Sequence, residues 1–197
     1  MIARALELGP IVLASSSPRR RDILALLGIE FTVVEPDYEE DDIAGLGPAE
    51  LAEAHARGKA AAVPGERVLG VDTLVALGGR VFEKPADPDE ARGFLRALSG
   101  RTHTVHSGLC LRVAGVEHVR RAESEVTFAP LSDADVEWYV GTGEWHDRAG
   151  GYAVQGRGAA LVVAVHGDFQ NVVGLPVPEL LDAMAAAVGG GSQTTGV

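Results

Sequence analysis

Residues 11–28 read IVLASSSPRRRDILALLG: an apolar run breaks at three serines and restarts as a helix behind Pro18. IVLASS (11–16) has the apolar, β-branched character of a short strand. Pro18 has the fixed φ that suits a helix's first position, the apolar repeat runs to Leu27, and Gly28 is a stop signal. A strand and a helix joined by so short a turn bury their apolar faces best in packed layers of both kinds, which points to an α/β chain.

The rest of the sequence repeats that mixture. FTVV (31–34) reads as a strand opening into the acidic run EPDYEEDD (35–42), and residues 48–62 read as an alanine-rich helix. RVLGVDTLVAL (67–77) is a nearly continuous apolar strand, turned at Gly78–Gly79 into RVFEKP. The helix over 87–100 has Asp87 as N-cap, Pro88 at its first position and Glu90 closing the cap, with Ala91, Phe94, Leu95 and Leu98 facing inward. Strand runs at 102–113 and 118–130 flank a turn at Ala114–Gly115, and a capped helix follows at 132–141. Residues 152–167 read as further strand and 177–188 as a final helix. These elements make one domain over 1–188, and GGGSQTTGV (189–197) reads as a flexible tail.

The chain of 197 residues carries 17 Lys and Arg against 28 Asp and Glu, a net charge of −11. Coating nucleic acid needs a broad basic face, so this balance argues against such a partner. No long apolar stretch marks the N-terminus and no run of about 18 apolar residues occurs, so the expectation is a cytoplasmic protein without a membrane span. Cys110 is the only cysteine, which leaves no intrachain disulfide; within SGLCLRV it reads as a small buried hydrophobe.

In so acidic a chain, three arginines in the first turn of a helix stand out, because that turn already carries partial positive charge. At about 100° per residue, Ile23, Leu24, Leu26 and Leu27 define the buried face. Arg19 and Arg20 each lie one turn ahead of it, so the spacing predicts that they enter a cleft at the helix N-terminus while Arg21 meets solvent. The serine turn before them also aims N–H groups and hydroxyls outward, which suits a phosphate.

Asp72 interrupts an apolar strand, where an unpaired carboxylate is costly. A structural ion pair and a catalytic or metal-binding acid both satisfy it. Lys59 closes the AHARGKAAA helix beside the Leu51/His55/Ala62 face, either entering the interior or snorkelling to solvent. Lys84 sits on a turn stiffened by Pro85. Most of the six carboxylates of residues 35–42 read as a solvated loop, with one able to reach a metal. Familiar motifs fail: Gly58–Lys59 has Glu53 where a P-loop needs its first glycine, and GTGEWH (141–146) is no dinucleotide fingerprint. VDTLV has Leu74 where an aspartate-nucleophile phosphatase needs a second acid. His103, His106 and His146 lie outside metal-ligand spacings and read as structural or surface residues.

LASSSPRRRDILALLGIEF, GKAAAV, GVDTLV, EKP, LSGRTHTV, GYAVQGRGA and NVVGLPVPEL, collinear from Ile11 to Leu181, together resemble the Maf family of nucleoside triphosphate pyrophosphatases. The resemblance implies an elongated α/β fold, a mixed sheet flanked by helices like that of inosine triphosphate pyrophosphatases, in a homodimer. It also implies divalent-metal-dependent cleavage of a nucleoside triphosphate to the monophosphate and pyrophosphate, with Mg²⁺ or Mn²⁺ as the ion. The family pattern falls on Ser15, Arg19, Arg20, Glu40, Lys59, Asp72, Lys84 and Gln155. Arg19, Thr73 and Gln155 resemble the branch acting on dTTP and UTP. HSGLCL (106–111) and GGYAVQG (150–156) depart from commoner forms of the family, the second beside the expected base pocket.

From the cationic turn, the in-strand acid and the resemblance, the expected chemistry has Arg19, Arg20, Lys59, Lys84 and the Ser15 turn holding the polyphosphate. Thr73 and Gln155 join them at the substrate. Glu40 and Asp72 lie near the metal, and Asp72 is the general base on the attacking water. Nucleotide-pool sanitation and arrest of cell division are the roles this implies. The alternative from another class is a non-catalytic nucleotide-binding regulator of septum formation, which would bind without releasing pyrophosphate. A generic phosphatase would release orthophosphate.

Overall fold

Strand β1 (Ile11–Ala14) pairs in parallel with β2 (Phe31–Val34) on one side and β3 (Arg67–Leu77) on the other. They begin a seven-stranded mixed sheet in this computed structural model, which describes residues 2–41 and 43–190. β3 turns at Gly78–Gly79 into its antiparallel neighbour β4 (Arg80–Phe82), and on its other edge pairs with β5 (Thr102–Val113). β6 (Val116–Phe128) and β7 (Val162–His166) complete the order β2-β1-β3-β5-β6-β7. The helices are α1 (Ile2–Leu6), α2 (Pro18–Leu26), α3 (Pro48–Ala62), α4 (Pro88–Leu98), α5 (Asp133–Gly141), α6 (Phe169–Val173) and α7 (Val177–Gly190). Among the described residues no helix is long and apolar enough to cross a membrane.

Side chains alternate across a strand, and here the two faces do different work. Leu69 and Val71 of β3 and Leu109 and Leu111 of β5 join Leu24 of α2 and Leu180 of α7 in one apolar cluster. Farther along the same face, Val75 and Val105 join Phe82, Phe94, Leu95, Phe128 and Tyr139 in a second. Each fully buried Leu or Phe contributes roughly 1.5–3 kcal/mol. Between the clusters, on the same face, lie Thr73 and Ser107, whose hydroxyls are 3.0 Å apart. That polar seam marks where the cores part.

The opposite face carries α3. Gly70 of β3 and Gly108 of β5 leave room for it: a Cβ on Gly70 would collide with the Ala56 carbonyl, and one on Gly108 with the backbone of Ala52 and Glu53. Ala52, Ala56 and Ala60 are fully buried there, so small residues on both partners let helix backbone rest on sheet backbone.

The expected caps form. The Asp87 carboxylate accepts from the Glu90 N–H at 2.8 Å, Glu90 accepts from the Ala86 N–H at 2.8 Å, and Ala91, Phe94, Leu95 and Leu98 are buried. Ser132 and Asp135 make a reciprocal capping box at α5. Four details differ from the sequence reading. Leu26 is 80% exposed, because the face centred between Ile23, Leu24 and Leu27 leaves it about 110° away. Ala62, near the helix end, is also exposed. Only 162–166 of the expected 152–167 strand is strand: Tyr152–Gln155 turns back and Arg157–Leu161 is 3₁₀, with the Glu144 carboxylate accepting from the N–H groups of Arg157 and Gly158. α7 runs two residues beyond 188, to Gly190. The remainder of the expected tail, 191–197, and Asp42 of the acidic run lie outside the described residues.

Since the Gly70 contact is with helix backbone, no side-chain swing relieves an added methyl. Gly70→Ala is expected to lose roughly 1–3 kcal/mol, the usual range for overpacking, measured as a lowered urea midpoint. An unchanged midpoint would contradict this account of α3 docking.

Candidate active site

β1 ends at Ala14, opposite Gly70, and β4 first meets β3 at Val75. Residues 71–74 of β3 therefore have no strand partner on that edge. A cleft of about 480 Å³ opens at the gap, at the carboxyl end of β1, where open α/β sheets offer ligand sites. Its wall includes Ser15, Arg19, Arg20, Glu40, Lys59, Asp72, Thr73, Lys84 and Gln155. Residues separated by 140 positions of chain thus meet where one edge of β3 is bare.

Alternation sends Asp72 to the α3 face and Thr73 to the other. Asp72 stands opposite Gly108 in the β5 register, so α3 comes close enough for Lys59 Nζ to reach Asp72 Oδ1 at 2.6 Å. The same ammonium lies 2.7 Å from Glu40 Oε1. Lys59 and Asp72 are 5% and 3% exposed, so the lysine enters the interior and does not snorkel. Burial works against the ionised Glu40, but Lys59, Lys84 and Arg20 outweigh it and hold its carboxyl below the ordinary range.

Across the strand, Arg20 is buried while Arg21 is exposed, as the helical spacing predicts. Its Nη1 donates to Ser15 Oγ at 3.0 Å, its Nε to the Gly174 carbonyl at 2.9 Å and its Nη2 to Thr73 Oγ1 at 3.4 Å. Every acceptor is neutral. Burial lowers the Arg20 pKa, opposed by the charges of Asp72 and Glu40. Arg19 donates to the Asp147 carbonyl at 2.8 Å, and burial with the nearby Arg148 and Arg20 lowers its pKa to about 10. Lys84 and Gln155 are exposed on the rim.

Asp72 Oδ2 is buried with no hydrogen-bond partner among the described residues, a costly state for a carboxylate oxygen. This orphan is the test for a metal. No group of three or more His, Cys, Asp or Glu that could cage an ion occurs among the described residues. Mg²⁺-type ions are instead held by one or two carboxylates plus substrate phosphates and water. Asp72 and Glu40 fit that kind of site, and a hard cation suits their oxygens.

Tyr38 and Asn171 escaped the sequence reading. Tyr38 lies over Gly58, where a Cβ would collide with its ring, and its hydroxyl is 3.0 Å from His55 Nδ1. This contact and the Lys59–Glu40 pair fasten the acidic loop to α3. A glycine inside a helix was the available signal. Asn171, fully buried, donates to the Val105 carbonyl and Ser124 Oγ, anchoring the segment whose Gly174 carbonyl receives Arg20. Beneath the cleft, His103 Nε2 is 2.8 Å from the hydroxyl of Tyr152, a lining residue. Burial lowers the His103 pKa to about 4, and raises that of Cys110 to about 11.

The model of the Maf-like protein family matches residues 10–187. Among curated proteins, the dTTP/UTP pyrophosphatase of Thermus thermophilus is 52% identical over 170 residues, 85% of this chain and 89% of that protein. That of Anaeromyxobacter dehalogenans (strain 2CP-C) is 50% identical over 173 residues, 86% of this chain and 89% of its own length. That of Pyrococcus furiosus is 44% identical over 172 residues, covering 85% and 90%. Among solved structures, the Staphylococcus aureus Ham1 protein aligns with a TM-score of 0.42 at 17% identity, over 61% of this chain and 72% of that one.

Two outcomes follow from the geometry. Gly58→Ala should displace Tyr38 and free the loop, so Glu-specific proteolysis within 35–41 is expected to accelerate several-fold. The unfolding midpoint should hold or rise, since alanine suits a helix by up to about 1 kcal/mol more than glycine. Unchanged cleavage would refute the fastening. His103 is lowered from 6.5 to about 4 in the fold, so its stabilisation is complete above pH 6.5 and lost as pH falls towards 4. That loss is on the order of 3 kcal/mol. Urea midpoints of His103→Gln should therefore fall less steeply than wild type over that interval; parallel curves would contradict it.

Proposed function

The chain belongs to the Maf-like protein family, and on that premise we propose that it is a nucleoside triphosphate pyrophosphatase acting on dTTP and UTP. The products are the monophosphate and pyrophosphate. The observation that carries the proposal is the buried, half-satisfied Asp72 carboxylate beside Lys59 in a cleft rimmed by further cations. Relatives about half identical over most of their length, named for that activity, support the choice of pyrimidine nucleotides. So does the presence of Arg19, Thr73 and Gln155 among the residues that line the cleft.

In this reading the triphosphate supplies the anion that Arg19, Arg20 and Lys84 lack, and it also meets Lys59 beside the two carboxylates that already hold that ammonium. Ser15, held by Arg20 and accepting from the Ser17 N–H at 3.1 Å, shapes the turn beneath it. A divalent cation, Mg²⁺ or Mn²⁺, would be held by Glu40 and Asp72 and supplies charge withdrawal from phosphate oxygens. Asp72 Oδ1 is committed to Lys59, so Oδ2 accepts the proton of a water. The water oxygen bonds to the α-phosphorus, the α–β anhydride bond breaks, and pyrophosphate leaves with its electron pair. Lys59 fixes the carboxylate's orientation, and the guanidiniums offset charge on the leaving group. One domain over 1–188, acting in the cytoplasm as a homodimer, belongs to the same reading and rests on the family resemblance.

Incubation with dTTP and UTP in Mn²⁺, with product identification, tests it. Monophosphate and pyrophosphate are expected; orthophosphate, or binding with no release, would overturn the reading. Asp72→Asn should lower turnover roughly 10²–10⁴-fold, the span of a general base. Near-normal turnover in that variant would remove Asp72 from its role.

A further inference from the structure

The proposed activity uses four cations, yet a fifth lines the cleft. Arg148 follows β-strand-free chain at Trp145–Asp147 and is half-buried. Its Nε donates to the Glu144 carbonyl at 3.2 Å, while Nη1 is shut from solvent with no partner among the described residues. The nearby Glu144 carboxylate is engaged elsewhere, by Tyr139 and the N–H groups of Arg157 and Gly158. Neither Arg148 nor Arg19 has an ion-pair partner among the described residues, and Arg19 donates to the carbonyl of Asp147, the residue before Arg148. The Arg148 charge lies near enough to act on Arg19, and among the described residues both guanidiniums have only carbonyl acceptors. Desolvated like charges that feel each other repel, and an anion between them removes the cost.

The backbone holds this arrangement. Asp147 has a positive φ of 54°, an uncommon conformation outside glycine that turns its carbonyl to Arg19. Two residues past Arg148, the Gly150 N–H donates to the Glu83 carbonyl at 3.1 Å, tying this loop to the turn that carries Lys84. The loop therefore spans from the α2 arginines to the Lys84 rim, with Arg148 among the residues that line the cleft.

We propose that Arg148 is a further substrate-binding residue, forming with Arg19 a paired clamp for the terminal phosphates of the nucleoside triphosphate. The terminal phosphates hold most of the substrate's charge, and a guanidinium fork matches phosphate oxygens in pairs. The inference rests on the pyrophosphatase reading, and pyrophosphate, the product that keeps those two phosphates, is the probe that separates them.

Calorimetric titration of wild type, Arg148→Gln and Arg148→Lys with inorganic pyrophosphate and with thymidine monophosphate, both in Mg²⁺, tests the clamp. Arg148→Gln should bind pyrophosphate roughly 10- to 100-fold more weakly, the worth of one charge-assisted contact, with monophosphate affinity and unfolding midpoint unchanged. Arg148→Lys should recover part of the loss. With dTTP the glutamine variant should raise KM more than it lowers kcat. Unaltered pyrophosphate affinity in Arg148→Gln, while wild type hydrolyses dTTP, would overturn the clamp alone. Equal losses in both variants with a lowered midpoint would make Arg148 structural and overturn it too. A wild type that neither binds pyrophosphate nor cleaves dTTP would overturn both the clamp and the activity beneath it.

Discussion

The buried pair of Lys59 and Asp72 is the interaction on which the rest of the structure depends. It joins α3 to β3 at 2.6 Å, and it exists only because two neighbouring strands each present a glycine to the helix. Side chains at 70 and 108 would push the helix off the sheet, and a lysine's reach would then end short of the carboxylate. The small residues are therefore part of the electrostatics. A buried ion pair is weak evidence for stability, since desolvation offsets the attraction. Here the imbalance is informative: one Asp72 oxygen is satisfied by Lys59 and the other has no partner among the described residues.

The sheet topology explains why that carboxylate is reachable. β1 stops after four residues while β3 runs for eleven, and β4 returns along only the last three. The uncovered edge between them can be approached from both faces of β3, so Asp72 and Thr73, pointing opposite ways, line one cleft. The polar seam at Thr73 and Ser107 falls between two apolar clusters, which lets Arg20 enter without displacing core side chains. A longer β1 would pair with residues 71–74 and close the site.

Much of this was legible in the sequence, and the reasons differ by residue. Helical spacing separated Arg20 from Arg21, because a periodic pattern fixes direction once the buried face is known. Asp72 stood out because an acid in an apolar strand demands a partner. The same logic failed at Leu26, where hydrophobicity alone placed a residue that the period puts outside. It failed again at 152–161, which is apolar enough for a strand yet follows two glycines at positive φ and folds around the Glu144 carboxylate. Tyr38 over Gly58 was not legible: the acidic loop has no period, and its seat on α3 is a tertiary contact. The Arg148 environment likewise depends on which acceptors the fold brings near, and no local pattern encodes that.

Charge makes the final distinction. With 28 acids to 17 bases, an arginine in this chain has ample opportunity to find a carboxylate, and Arg57, Arg92, Arg96, Arg120 and Arg121 each do so on the surface. Such exposed pairs are screened by solvent and add little to stability. Arg112 binds the carbonyls of Ala60, Val63 and Gly65 instead, at the end of α3, where the helix dipole supplies negative charge. Arg19, Arg20 and Arg148 have no ion-pair partner at salt-bridge distance among the described residues: their acceptors are carbonyls and hydroxyls around the cleft, and Arg20 feels Asp72 and Glu40 only at longer range. Composition opposes such an arrangement, so it is the fold that keeps these guanidiniums away from the surplus acids. Three guanidiniums held at one cleft with no carboxylate at hydrogen-bonding distance among the described residues, while five others pair with acids on the surface, leave room for the anion that the proposed activity supplies.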